Sequence, residues 1–205
     1  MLGTWRARTG AICAAAGVLL IGVAIQGPPA TAAVNSLTGW TKQGATGAGT
    51  WNLATDGNSV TQTINGAPTF FVSPFLKESA TFTVDITPAQ SSDNDYVGVV
   101  LGYTDPLSDA TCGSANCDNN YILLDWKQED EAGEEAGFSL IRVNGSFNVR
   151  DTTEPPVALP CFGNHTDSAT CDVLGTSFGP TQGWSEGAVN TLKFTYGPGQ
   201  VKVER

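Results

Sequence analysis

Beyond residue 34, apolar and polar residues alternate with a period of two in most of a series of short segments. In SATFTVDI (79–86), Ala80, Phe82, Val84 and Ile86 share one face of an extended segment, and Thr81, Thr83 and Asp85 share the other. That pattern belongs to a half-buried strand. The same reading places strands at 59–64, 69–73, 79–86, 96–103, 120–127, 137–143, 191–196 and 200–203, most of them bounded by Gly, Asn, Asp, Ser or Pro. No segment sustains a helical stripe of period 3.6. Many short strands joined by polar turns predict an all-β sandwich or jelly roll. The Gly- and Thr-rich stretch 38–51 reads as a loop, and 144–191 as a long spacer of a kind uncommon unless functional or stapled. The sequence closes on QVKVER, directly after a strand, so a two-sheet sandwich is expected to lack its final strands and to show an unpaired edge.

The first residues follow a different pattern. Arg6 and Arg8 precede the apolar run AICAAAGVLLIGVAI (11–25), and Ala30-Thr31-Ala32 offers a small-x-small cleavage pattern. This is the layout of a secretory signal peptide over 1–33. The run is too short for a comfortable membrane span. A single domain over 34–205 and a secreted, extracellular location are the expectation, with no membrane span once the signal is cleaved.

Charge narrows the partners. Lys and Arg number 10 and Asp and Glu 20, a formal net charge of −10. Two of the basic residues lie in the signal, so the remainder carries 8 − 20 = −12. Nucleic acid and anionic membranes call for a basic patch, which this balance opposes. Cysteines beyond the signal fall into two close pairs, Cys112/Cys117 in CGSANC and Cys161/Cys171 in CFGNHTDSATC. Export to an oxidising compartment predicts two local disulfides. Neither spacing is C-x-x-C and His165 is the one histidine, which argues against zinc.

Candidate chemistry is concentrated at strand mouths. SSDNDYVGVVLGY (91–103) runs Asp93, Asn94 and Asp95 straight into a strand. Calcium takes six to eight oxygens from carboxylates, amides and carbonyls. Asp93 and Asp95 fall on one side of an extended segment and can converge on one ion. A second oxygen cluster, Asp118-Asn119-Asn120, precedes the next strand. In that strand Ile122, Leu124 and Trp126 form one face, read as core, while Asp125 shares the other with Leu123 and Lys127 as an inward polar residue needing a partner. Gln128 near Trp126, and Trp184 in a Gly-Trp turn read as partly exposed with packing as the default, are weak candidates for a sugar contact. No aromatic cluster marks a sugar platform. EDEAGEE (129–135) places Glu129, Glu131 and Glu134 in an E-x-[D/E]-x-x-E spacing. Retaining glycoside hydrolysis needs two carboxyls about 5–5.5 Å apart, but Ala132-Gly133 breaks the strand and the segment reads as a charged hairpin loop.

These motifs together resemble the C-terminal domain of thrombospondins and its bacterial relatives. SSDNDYVGVVLGY, then NYILLDWKQ, then GFSLIRVNG follow that family's acidic run, Trp-Lys-Gln strand and short strand ending near Asn-Gly. WNLATDGNSVTQTINGAPTFFVS resembles its opening, and GPTQGWSEGAVNTLKFTYGPGQVKV its Gly-Trp turn with two strands. The likeness runs from about Trp40 to the last residue. The family's last strands are absent, and CGSANC is extra to its pattern. The resemblance implies a lectin-like jelly-roll sandwich that is extracellular, binds calcium and serves adhesion.

The expected function is therefore a non-catalytic module that binds structural calcium through Asp93, Asn94, Asp95 and Asp118 and engages an extracellular glycan or protein. The alternatives are a jelly-roll hydrolase using Glu129–Glu135, or a purely structural surface domain.

Overall fold

The computed structural model describes residues 36–44, 49–66, 68–89, 94, 96–103, 117–131, 133–147, 161 and 166–205. The signal-like segment 1–33 and Cys112 lie outside them, as does the side chain of Cys117. All regular structure among the described residues is β. The strands are β1 (Thr41–Gly44), β2 (Trp51–Leu53), β3 (Val60–Gln62), β4 (Thr69–Val72), β5 (Ala80–Ile86), β6 (Tyr96–Leu101), β7 (Cys117–Lys127), β8 (Gly137–Phe147), β9 (Cys171–Phe178), β10 (Asn190–Gly197) and β11 (Gln200–Glu204).

Two antiparallel sheets make the sandwich, one ordered β6-β7-β8-β9 and the other β11-β10-β5. Their facing side chains form one core. Leu124, Trp126, Leu101 and Leu140 from the larger sheet pack with Leu192 and Phe194 of β10, and Phe82, Val84 and Ile86 of β5 border them. Each sheet contributes an aromatic pair that is also a register pair. Trp126 stacks on Phe138 at 4.5 Å and Phe82 on Phe194 at 5.1 Å. Such cross-strand pairs add to area burial and pin the register.

The larger sheet is covered on its other face as well. There Tyr121 and Leu123 of β7 and Ile141 and Val143 of β8 join Phe70, Tyr103, Cys161 and Cys171 in a second core. Phe70 comes from β4, which pairs with β1 in a small sheet of its own, as β2 does with β3. The Cys161–Cys171 disulfide is present, and both residues are buried within this core.

Two expectations change here. The supposed loop 38–51 contains β1 and the start of β2, and the supposed spacer 144–191 contains the end of β8 and all of β9. β9 escapes a period-two reading because the β8–β9 register shifts between Leu140 and Ile141. Such an irregularity inserts an unmatched residue and breaks the alternation. The closing strand β11 pairs with β10 alone among the described residues.

Candidate site at the end of β7

Strand β7 ends in Asp125-Trp126-Lys127. Alternation sends Trp126 into the sandwich, where it is fully buried and donates its indole N–H to the Gln182 carbonyl at 2.8 Å. Asp125 and Lys127 therefore face the opposite side, and both are buried to 1% exposure. An ammonium is rarely buried unless paired, and Lys127 is paired several times. Its Nζ donates to the Asn94 backbone carbonyl at 3.0 Å and lies 3.3 Å from Glu134 and 3.6 Å from Glu131. It also sits 4.6 Å above the centre of the Tyr96 ring, within cation–π range. The Tyr96 hydroxyl in turn donates to the Glu134 carboxylate. Burial first, and that bond and the Glu134 charge next, push the Tyr96 hydroxyl well above the ordinary tyrosine value.

The acidic segment after β7 folds back as a hairpin, as its composition predicts. Glu131 and Glu134 exchange backbone hydrogen bonds of 2.9 and 2.8 Å, with Gly133 at φ +96° in the turn. Only glycine adopts that conformation without strain. Asp130 accepts the Ala136 N–H at 2.7 Å and closes the base. Asn94 ties this hairpin to the segment before β6, since its Oδ1 accepts the Glu129 N–H at 2.8 Å. Across β7 and β8, Asp125 is the register partner of Ser139. Ser139 is fully buried and its hydroxyl has no hydrogen-bond partner among the described residues.

The expected metal residues divide between the two ends of β7. Asn94 lies beside Lys127, with both of its carbonyl-type oxygens already engaged by protein donors. Asp118 is exposed at the start of the strand, opposite Ser146. Lys127 lies nine positions further along, about 30 Å at the rise of an extended strand, so Asp118 and Asn94 do not share an ion. Asp93 and Asp95 lie outside the described residues. No group of three or more His, Cys, Asp or Glu side chains converges among the described residues.

The sugar-contact candidates also divide. Trp184 is not partly exposed: it is 4% exposed and part of the sandwich core. The turn that carries it is pressed so closely on β7 that a Cβ at Gly183 would sit 1.7 Å from the Gln128 carbonyl oxygen. Gln128 is half-buried at that bend. Two features were missed in the sequence. Lys127 is the centre of the acidic site, and its one signal is a lysine at an inward position of a strand. The other is an aromatic stack on the outer face of β4. Phe71 stacks with Trp40, at 6.0 Å and 24°, and with Trp51, at 5.5 Å and 17°. No family model, curated protein or solved structure matches this chain.

Proposed function

We propose that this protein is an exported, non-catalytic binding module of lectin-like jelly-roll type that takes calcium at the acidic end of β7 and engages an extracellular glycan or protein. One observation carries the reading. Through its bonds to Lys127 and Glu129, Asn94 joins the Asp93–Asp95 run to the Glu129–Glu135 hairpin. The hairpin holds five carboxyls, Asp93 and Asp95 add two in sequence beside Asn94, and Lys127 is the ammonium among them. Like charges repel, and a divalent cation taken between the two runs would relieve the excess that one ammonium leaves. In this reading Asn94 positions the two runs, while Asp93 and Asp95 supply ligand oxygens. Glu131 and Glu134 already share Lys127, which supports a binding role for this end over a hydrolytic one.

The test is a thermal melt against calcium. Extracellular modules bind calcium with dissociation constants of about 10⁻⁴–10⁻³ M, so about 10 mM ion should stabilise by roughly 1.5–3 kcal/mol and raise Tm by a few degrees. Asp93→Ala together with Asp95→Ala should abolish the shift. A melt indifferent to calcium and to chelator overturns the calcium site.

A further inference from the structure

We propose that the Trp40–Phe71–Trp51 stack is a binding face for a pyranose glycan. The proposal rests on the reading of this chain as an extracellular binding module and names a surface separate from the acidic end. Strand β4 divides its two phenylalanines. Phe70 points inward and is 6% exposed within the second core, whereas Phe71 points outward. Trp40 and Trp51 each lie near-parallel to Phe71, all three residues are partly exposed, and none belongs to either buried core. The result is a ridge of aromatic surface assembled from segments before β1, in β2 and in β4.

The ridge is held rigidly and carries polar groups at its flank. The Trp51 indole N–H donates to the Thr69 hydroxyl at 2.9 Å, which fixes the ring. Lys42 is the register partner of Phe71, and its ammonium donates to the Gly49 carbonyl at 2.5 Å. That leaves further N–H donors on Lys42 and the hydroxyl proton of Thr69. The segment at Gly49 approaches closely, since an added Cβ there would lie 2.5 Å from the Thr69 hydroxyl.

Charge selects the occupant. The chain carries −10 overall, yet within the strands β1 to β4 Lys42 is the one charged residue, and the β2–β3 turn adds the carboxylate of Asp56. A basic peptide would be drawn to the acidic hairpin and not to this face. A pyranose presents an apolar C–H face to an aromatic ring and hydroxyls at its rim. Parallel rings bordered by an ammonium and a hydroxyl match that chemistry, and the lysine admits a uronate as readily as a neutral sugar.

Affinity electrophoresis of the full chain in gels containing laminarin, xylan, galactomannan or polygalacturonate tests this. At least one polymer should retard the protein, and Trp40→Ala and Trp51→Ala should each weaken retardation roughly three- to tenfold. Should either alanine variant fail to fold, Trp40→Leu and Trp51→Leu keep apolar volume without a ring and should show the same loss. Retardation that is unchanged in the ringless variants, or no retardation by any of the polymers, overturns the proposal. Binding of a proline-rich peptide to this face in place of sugar overturns it as well. Repeating the gels with chelator separates the two readings. Retardation abolished by chelator but indifferent to Trp40 and Trp51 leaves the calcium module standing and removes this face, and a flat calcium melt with ring-dependent retardation does the reverse.

Discussion

The Lys127 ammonium lies 3.3 Å from the Glu134 carboxylate, joining the last residue of β7 to the return arm of the hairpin that follows it. The lysine side chain is 2% exposed, whereas those of Glu134 and Glu131 are 38% and 58% exposed. The pair is thus asymmetric: one member is held from water and the others reach it. Removing the carboxylates strands a buried charge, which costs about 3–5 kcal/mol, while removing the lysine leaves charges that water can solvate. Glu131→Gln and Glu134→Gln should each cost about 1 kcal/mol, and the double variant more than their sum. Lys127→Met should cost less than the double variant. Urea denaturation of the four proteins checks the order.

The phenols of this sheet predict alkaline sensitivity. Tyr96 and Tyr121 both titrate above the ordinary tyrosine value, Tyr121 through burial and then the neighbouring Tyr103. The unfolded chain releases these protons near pH 10 while the folded chain keeps them. The unfolded state then binds fewer protons, so the contribution is complete below pH 10 and is lost as pH rises further, at about 1.4 kcal/mol per pH unit for each group. Denaturant midpoints taken between pH 9 and 11 should fall, and Tyr96→Phe should flatten the fall by about one group's share.

The sequence exposed the sandwich more fully than the site. Period-two alternation located β5, β6, β10 and β11 to within two residues at either end, because each presents an apolar face to the sandwich core. β7 and β8 were placed but drawn short, since their polar ends, Asp118 to Asn120 and Asn144 to Ser146, look like turns when considered alone. β1 and β2 were hidden among glycines and threonines, being short strands whose pairing comes from β4 and β3. The acidic end was visible as two separate runs, and what joins them is a lysine contact between residues 33 apart, which no local pattern encodes. Trp184 followed the packing default, and its expected partial exposure failed because a Gly-Trp turn looks solvated until the sandwich core closes over it.

The disulfide offers a third test. Cys161 and Cys171 close a loop with a sequence separation of 10, for which loop-closure entropy gives about 3 kcal/mol. Cys161→Ala with Cys171→Ala should lower stability by that amount or more, because both sulfurs also fill the second core. Calorimetry of this variant beside the parent, with and without reductant, measures it.

Gly98 provides a fourth. It faces Asp125 in the β6–β7 register, and a Cβ there would lie 2.1 Å from the Leu124 carbonyl oxygen. Backbone cannot yield as a flexible side chain can, so Gly98→Ala should cost about 3 kcal/mol, at the upper end for overpacking. Hydrogen exchange should show the loss first as faster opening of β6 amides. Equal protection in parent and variant would show that the contact is relieved at no cost.

The C-terminal end of strand β7 meets two unlike environments, the sandwich core around Trp126 on one flank and a charge network around Lys127 on the other. Displacing it by a single position would drive an ammonium among Leu192 and Phe194 and turn an indole toward carboxylates. A pairing of this strand slipped by an odd number of residues thus carries an electrostatic penalty, a built-in proofreading against that class of misaligned assembly.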